Sequence, residues 1–350
     1  MLVSWLADLE PDDAIRLGGS KMGRLAELAR TGAEVPRAFT VTVEAFAAHM
    51  GRSGLDRAVD REMAGLDGDD PLAVEAVADR VRGAVMSTPL DPGLAALVVD
   101  EYEELCDRCS DLNVPTAVRS SATGEDGSDA SFAGIFDTFL GVSGPDRVVQ
   151  AVQACWASLF TARAIAYRAR RRISHREMPM AVGVVELVHA RSSGVAFSVH
   201  PVSGKRDRVV VESNWGWGEA VVQGLVTPDG FEVGKADRRI LRRHVNDKKV
   251  VSAFDFALGR VTETDMPNRL RGRLSLDDEQ LLAVVDAVLA VEAHYGYPVD
   301  VEWVIARHRR PGDPVSIVQT RPVTVVEPVR TPAFDPMSLA NKHIFGRGTR

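Results

Sequence analysis

The sequence predicts a mixed fold of helices and strands that is large enough for two packed subdomains. The chain has 350 residues, of which 45% are hydrophobic and 26% charged, as is typical of globular proteins with sizeable cores. Residues 56–109 and 277–295 carry apolar side chains at helical spacing, whereas residues 297–305 and 315–322 alternate in the manner of strands. Both kinds of element therefore contribute to the fold.

The segment Val118–Val142 concentrates the features of a phosphate-binding loop. It begins with Arg119, whose planar guanidinium matches the geometry of phosphoryl oxygens. Small residues at positions 120–124 let backbone N–H groups approach an anion closely. A cluster of Ser, Gly and Asp is also typical of a solvated surface loop, so this prediction depends on support from elsewhere in the chain.

A second candidate loop, Leu17–Gly23, lies directly before a helical pattern that ends at Thr31 and Gly32. A glycine turn at a helix start brings together free N–H groups and the positive end of the helix dipole, and Lys21 adds a mobile positive charge. The spacing differs from that of the Walker motif. Taken alone, the segment indicates an ordinary helix N-terminus rather than a phosphate site.

Two strand-like runs flank a break rich in Pro, Gly and Arg at residues 308–314, which predicts a hairpin. Strand alternation places Ile317, Gln319 and Arg321 on one face of the second strand. The hairpin would bring Gln319 beside Glu302 of the first strand, with Arg321 adjacent. A carboxylate and an amide oxygen suit Mg²⁺, and an arginine can take phosphate charge. An amphipathic hairpin with a solvated polar face is the alternative.

These motifs occur in an order that resembles the nucleotide-binding domain of phosphoenolpyruvate synthase, pyruvate phosphate dikinase and rifampicin phosphotransferase. The resemblance covers residues 10–327 and implies an ATP-grasp fold, in which two α+β subdomains clamp Mg·ATP. It predicts subdomains at residues 1–200 and 201–327 and a tail at residues 328–350. The ordered segments are GGSKMGRLAEL, VPRAFTVT, AVRSSATGED, ASFAGIFDTFLGV, CWASLFTARAIAYR, GVAFSVHPVSG, WGWGEAVVQGLVTPD, DVEWVI and IVQTRPV.

The resemblance also implies a role for each candidate residue. Lys21 and Arg119 would contact the phosphates of ATP. Glu302 and Gln319 would hold Mg²⁺, and Arg321 would neutralise charge that develops on the transferred phosphoryl group. These roles suit a loose phosphoryl-transfer transition state, in which positioning and electrostatics supply most of the catalysis.

Three further positions concern the nucleotide pocket. Glu212 is similar to a family residue beside the nucleotide, although a local backbone contact is an equal alternative. Ser20 stands where the family usually has a second glycine, which restricts a positive φ at that position. In the strand at residues 181–188, Val185 and Glu186 replace a glutamine that the family often has near the adenine. We therefore expect adenine to be recognised mainly by backbone groups.

Full dikinases continue into a domain with a phosphoryl-carrier histidine, in a turn of small residues, and into a pyruvate-binding barrel. None of the eight histidines of this chain lies in such a turn. The resemblance therefore predicts an ATP-binding subunit that passes phosphoryl groups to a histidine on a partner subunit, as in phenylphosphate synthase. The products would be AMP, phosphate and a phosphorylated small molecule, for which pyruvate, a phenol or an antibiotic hydroxyl all remain open.

Two other functions stay open at this point. The chain could be a regulatory module that senses ATP without turning it over, although a sensor need not keep all five transfer residues. It could also be a direct small-molecule kinase that gives ADP. The net charge of −7 argues against a nucleic-acid partner. The N-terminus runs directly into acidic residues and no apolar run is long enough to span a bilayer, so we expect a cytoplasmic protein without a membrane partner.

Overall fold

The structure, a computed structural model, describes residues 1–127, 130–131, 135–255 and 257–323. The predicted tail at residues 328–350 lies outside this range. The described helices are α1 (Pro11–Arg30), α2 (Val43–Arg52), α3 (Leu55–Met63), α4 (Pro71–Ser87), α5 (Pro92–Cys109), α6 (Pro145–Ser158), α7 (Ala162–Arg171), α8 (Glu219–Val222), α9 (Asn268–Arg271) and α10 (Asp278–Tyr295). The described strands are β1 (Val3–Trp5), β2 (Ala38–Val41), β3 (Thr116–Ala122), β4 (Asp126–Gly127), β5 (Ala130–Ser131), β6 (Thr138–Val142), β7 (Met180–Glu186), β8 (Ala190–Phe197), β9 (Arg208–Trp215), β10 (Asp229–Gly234), β11 (Ile240–His244), β12 (Val250–Asp255), β13 (Arg260–Asp265), β14 (Val299–Ala306) and β15 (Ser316–Pro322).

Two antiparallel sheets organise these elements. The first has the strand order β1-β2-β7-β3-β6, and the second has the order β11-β10-β9-β8-β14-β15. Helices pack against both sheets, which confirms the predicted α+β class. The chain passes from the first sheet to the second between Glu186 and Ala190.

A helical layer, α2 to α7, covers the first sheet, and its helices α3 to α5 confirm the helices predicted over residues 56–109. Helices α4 and α5 each begin with a proline, preceded by an N-cap aspartate, Asp70 or Asp91, whose side chain accepts hydrogen bonds from two backbone N–H groups. The core beneath them contains the buried side chains of Phe39, Tyr102 and Trp156. The caps fix where these helices start, and the buried apolar side chains fix how the helices lie on the sheet.

The second sheet packs against α10, which matches the helix predicted at residues 277–295. Asp277 and Gln280 form a reciprocal capping box at its start, and Gly296 in the left-handed region ends it. Trp303 of β14 and Val284 of α10 are buried in the shared core. Within the described residues, no helix combines the length and apolar character needed to cross a bilayer.

Helix α1 contributes to both halves of the protein. Its middle section packs Leu17, Met22 and Leu25 into a core shared with the first sheet. Its last turn places Leu28 in the core of the second sheet. The segment that follows is attached there too, because the Ile317 N–H donates to the Glu34 carbonyl oxygen at 2.8 Å. Helix α1 therefore joins the two sheets on one side of the space between them.

The hairpin of β12 and β13 joins them on another side. It bonds to the segment after β9, since Trp217 donates its N–H to the Ser252 carbonyl oxygen at 3.2 Å. It also packs on the edge strand β6, where a Cβ at Gly141 would lie 2.9 Å from the Cα of Arg260. Near the hairpin tip, the Arg147 guanidinium donates to the Gly259 carbonyl oxygen at 3.2 Å. Glycine at position 141 thus permits the close approach of the hairpin.

Candidate functional site

The space between the sheets is a cleft of about 820 Å³ with charged residues on both walls. The first sheet and the N-terminal loops contribute one wall, and strands β8, β14 and β15 contribute the other. Five of the six predicted site residues line the cleft: Lys21, Arg119, Glu302, Gln319 and Arg321. Residues as far apart as positions 21 and 321 thus meet in one cavity.

The turn that carries Lys21 is held tightly against β3. Gly19 interrupts helical geometry with φ 71° and ψ 176°, a conformation that is essentially restricted to glycine. A Cβ at Gly19 would lie 1.9 Å from the Ser121 carbonyl oxygen, so a side chain there cannot be accommodated without movement. The turn is further anchored by the Met22 N–H, which donates to the Ser121 Oγ at 3.2 Å.

Ser20 does not need the freedom of the glycine that the family usually has at that position. Ser20 is not one of the described non-glycine residues that have a positive φ. Gly19 alone has non-helical backbone angles in this turn, so it makes the sharp change of direction. The Ser20 Oγ donates to the Thr123 carbonyl oxygen at 3.3 Å. The serine therefore adds a contact between the lysine turn and the loop after β3.

Lys21 forms a close ion pair with Glu125. Its Nζ lies 2.6 Å from the Glu125 Oε1 and donates to the Ser120 carbonyl oxygen at 3.2 Å. The Glu125 side chain is only 3% exposed. We did not predict a site role for Glu125, because an acid in a Ser- and Gly-rich loop is ordinarily solvated. The available signal was its place in the AVRSSATGED segment, directly after the small residues.

Arg119 crosses the cleft from the first sheet to the second. Its Nη1 donates to the Val318 carbonyl oxygen at 2.7 Å, and its Nη2 donates to the Gln319 Oε1 at 2.6 Å. The same Nη2 lies 3.5 Å from the Glu302 Oε2. The guanidinium is thus shared between a backbone oxygen and both residues predicted to hold a metal ion.

The predicted hairpin is present as β14 and β15, and Glu302 pairs directly with Gln319. The prediction for Ile317 was wrong. The register shifts by one residue after this pair, so that Val318 is an extra residue and Ile317 lies opposite Trp303. Ile317 consequently points into the core of the second sheet, on the face opposite to Gln319.

Arg321 pairs with Asp300 at the next position of the same hairpin face. The two residues are in register, and the Arg321 Nε donates to the Asp300 Oδ2 at 2.6 Å. Asp300 is buried, whereas Arg321 is about one third exposed and lines the cleft. Asp300 holds the guanidinium near Glu302, which lies two residues along the strand on the same face.

Glu212 is the predicted residue that the structure leaves apart from the others. It lies on β9 opposite Val195 of β8, which in turn lies opposite Glu302. Glu212 and Glu302 therefore share a sheet face but are separated by a strand, and Glu212 is absent from the cleft lining. Burial raises the pKa of Glu212, and the charge of Asp300 raises it further.

A different acid, Glu219, lines the cleft instead. It begins α8, after the glycine turn of the WGWGE segment, and its Oε1 accepts a hydrogen bond from the Gln223 Nε2 at 2.6 Å. Burial is the main cause that raises the pKa of Glu219, and the negative charge of Glu302 raises it further. The hydrogen bond from Gln223 and the positive charge of Arg119 act in the opposite direction and lower it. Sequence reasoning missed Glu219, although the WGWGEAVVQGLVTPD segment that contains it is one of those that carry the resemblance.

The apolar end of the cleft is formed by the segment at residues 185–188, together with Leu140 and Trp217. The Trp217 Nε1 donates to the Val188 carbonyl oxygen at 2.9 Å, which fixes the indole against the strand end. The Glu186 Oε2 accepts hydrogen bonds from the backbone and side chain of Arg37. This end is suited to a flat apolar ring.

The residues of the charged end fit a magnesium ion. Glu302 and Gln319 face each other in register and supply the hard oxygen ligands that Mg²⁺ prefers. The Arg119 Nη2 lies 2.6 Å from the Gln319 Oε1 and 3.5 Å from the Glu302 Oε2. One cationic group can therefore contact both side chains at once. The cleft also has the volume of a nucleotide-sized ligand pocket.

A cleft between two α+β halves, with cations and metal-type oxygens at one end and an apolar pocket at the other, defines this chain as a nucleotide-binding domain. The family model for the AMP/ATP-binding domain of pyruvate phosphate dikinase matches residues 15–335, and the chain belongs to this family. The resemblance inferred from the ordered motifs is thereby confirmed, and the chain is an ATP-binding domain of the dikinase-type phosphotransferases.

Curated relatives cover more than this domain. The chain is 37% identical to a probable phosphoenolpyruvate synthase of Methanothermobacter thermautotrophicus, over 93% of this chain and 46% of the relative. It is 37% identical to the phosphoenolpyruvate synthase of Escherichia coli, over 93% of this chain and 42% of the relative. It is also 37% identical to a rifampicin phosphotransferase of a Streptomyces species, over 93% of this chain and 36% of the relative. The chain thus spans less than half the length of these proteins.

Proposed function

We propose that this chain binds Mg·ATP in the cleft and delivers phosphoryl groups to a histidine on a separate domain or subunit, giving AMP and phosphate. The observation that carries the proposal is the contact of Arg119, from one sheet, with Glu302 and Gln319 of the other. This contact brings together a guanidinium that can bind phosphate and two side-chain oxygens that can bind a metal ion. Lys21 and Arg321 along the same cavity give further support.

The proposal includes an ATP-grasp architecture, in which the two sheets form the halves of the nucleotide clamp. The subdomains would extend over residues 1–200 and 201–327. The apolar end at residues 185–188 would receive the adenine through backbone groups, with Trp217 against the ring. The triphosphate would then extend toward Lys21 and Arg119.

In this mechanism, the protein's own residues position the phosphates and balance their charge. A nitrogen of the acceptor histidine attacks the β-phosphorus, the bond from that phosphorus to the oxygen shared with the α-phosphate breaks, and AMP leaves with the oxygen. Water then removes the terminal phosphoryl group as phosphate, and the β-phosphoryl group stays on the histidine. Lys21, Arg119 and Arg321 would stabilise the negative charge on the transferred group.

Glu302 and Gln319 would hold Mg²⁺, which when bound neutralises charge on the phosphate oxygens. Glu212 would act at most from outside the cavity, since a strand separates it from Glu302. The acceptor of the final phosphoryl group would be selected by the histidine-carrying partner. Pyruvate, a phenol or an antibiotic hydroxyl are the candidate acceptors.

The product formed from Mg·ATP tests this proposal. The purified chain would be incubated with Mg·ATP, with and without the protein encoded beside it. AMP and phosphate that form only with the second protein, together with an acid-labile phosphohistidine on it, would support the proposal. Formation of ADP by the chain alone would instead identify a direct kinase, and tight ATP binding without turnover in both mixtures would identify a sensor.

A further inference from the structure

We propose that Glu125 is a positioning residue that holds the Lys21 ammonium where it meets the phosphates of the nucleotide. This inference rests on the proposed function, which assigns phosphate contact to Lys21. Glu125 itself would not touch the nucleotide. Its carboxylate would act through the lysine, by restricting where the ammonium group can lie.

The carboxylate is a fixed point in the fold. It is 3% exposed, and while its Oε1 lies 2.6 Å from the Lys21 Nζ, its Oε2 accepts from the Ala122 N–H at 3.4 Å. Ala122 ends β3, three residues after Arg119. The group that holds Lys21 is therefore anchored to the same strand that carries the arginine of the cleft.

The ammonium keeps a donor for a ligand. A lysine ammonium has three N–H donors, and the described contacts of Lys21 use two of them, toward Glu125 and the Ser120 carbonyl oxygen. Lys21 lines the cleft and is 13% exposed, so the ammonium is enclosed but reaches the cavity. A long flexible stem would otherwise let the charge sample many positions. Two fixed oxygens thus define one position for it.

The fold contains a second lysine–glutamate pair with which this one can be compared. The Lys235 Nζ lies 2.5 Å from the Glu292 Oε2, and both side chains are about one fifth exposed. Neither residue lines the cleft. The chemistry of the two pairs is alike, and only the location of Lys21 and Glu125 beside the cavity gives that pair a role toward a ligand.

The experiment measures dissociation constants for Mg·ATP and for adenosine by calorimetry. Adenosine lacks phosphates, so a defect at Lys21 raises the constant for ATP and leaves that for adenosine unchanged. We expect Lys21→Met and Glu125→Gln each to weaken ATP binding by about tenfold, the effect of a lost charge-assisted contact. The double variant should be no worse than the more impaired single variant, because the residues act as one unit. The control Glu292→Gln should bind ATP as the unaltered chain does.

Each outcome decides a separate point. If Lys21→Met weakens ATP binding and Glu125→Gln does not, the positioning role of Glu125 is wrong while the proposed site stands. If Lys21→Met itself binds ATP normally, the phosphate role of Lys21 fails and the inference fails with it. Glu125→Asp keeps the negative charge. If Glu125→Gln does not fold, Glu125→Asp takes its place in the comparison of single and double variants. Equal losses for ATP and adenosine in the folded Glu125 variants would indicate a purely structural role.

Discussion

Arg119 donates from its Nη2 to the Oε1 of Gln319 at 2.6 Å, across the space between the two sheets. Because the same nitrogen lies 3.5 Å from a carboxylate oxygen of Glu302, a cation of the protein contacts both proposed metal ligands. A divalent ion that bound these oxygens would have to displace the guanidinium. The phosphates of ATP offer Arg119 an alternative partner, so metal and nucleotide binding should favour each other.

Replacement of Arg119 should therefore strengthen the binding of a bare metal ion. In Arg119→Met, we expect Mn²⁺ to bind without nucleotide about tenfold more tightly, since the competing guanidinium is gone and the Glu302 charge is uncompensated. Titration followed by electron paramagnetic resonance of free Mn²⁺ measures this. Arg163→Met is the control, because Arg163 also lines the cleft but donates to the Ile135 carbonyl oxygen. Unchanged or weaker Mn²⁺ binding in Arg119→Met would disprove the competition.

Arg321→Ala and Glu302→Ala should each abolish phosphorylation of the histidine-carrying protein without unfolding the chain. Groups that stabilise transferred charge are worth about 10²–10³ in rate when removed. AMP formation measures the rate, and circular dichroism checks the fold. A rate near that of the unaltered chain in either folded variant would remove that residue from the mechanism.

Gly19→Ala should lower the free energy of unfolding by about 2 kcal/mol or more, because the residue would be forced into a glycine-only conformation and against the Ser121 carbonyl oxygen. Urea unfolding measures this loss. Gly32→Ala is the matched control: it has a positive φ of 84° but no atom within 4 Å of an added Cβ. Equal losses in the two variants would mean that the close approach to Ser121 contributes nothing.

The pH dependence of stability should report Glu219, the partly buried acid at the charged end of the cleft. The pKa of Glu219 is raised above its ordinary value of 4.5, mainly by burial, so the folded chain holds this proton more tightly than the unfolded chain. The stabilisation that protonated Glu219 contributes is fully present below pH 4.5 and is lost as the pH rises through the pKa of the folded state. Glu219→Gln should therefore raise the melting temperature at pH 8 and have little effect at pH 4.

Glu279 provides a control of opposite sign. Its hydrogen bond with Arg309 lowers the pKa of Glu279 below 4.5, so its stabilising effect is present above that pH and lost as the pH falls through the folded pKa. Glu279→Gln should lower the melting temperature at pH 7 and have little effect at pH 3. Calorimetric scans of both variants across the pH range measure these effects. A constant effect of Glu219→Gln at every pH would contradict the raised pKa of this partly buried carboxyl group.

The sequence predicted the pairing of Glu302 with Gln319 because strand alternation and a turn-rich break are local properties. It did not predict the bulge at Val318, since an extra apolar residue leaves the hydrophobic pattern almost unchanged. In the structure, the Val318 carbonyl oxygen accepts from Arg119, which is 199 positions away in the chain. That distant contact is invisible in the local pattern.

The acids Glu125 and Glu219 escaped prediction for a related reason. Whether a loop carboxylate is solvated or buried depends on what the rest of the chain places over it. Lys21 reaches Glu125 over about a hundred positions, and Glu219 is affected by Arg119 and Glu302 from two different sheets. Lys21, by contrast, was recognisable because a glycine turn before a helix is a short motif.

The attachment of helix α1 to both cores has a consequence for biosynthesis. Leu28 and Glu34 are synthesised long before Ile317, yet both contact the second sheet, whose last strand contains that residue. The hydrogen bond between Glu34 and Ile317 must therefore wait until nearly three hundred further residues have been made. At about 5–20 residues per second, that wait lasts on the order of fifteen seconds to a minute.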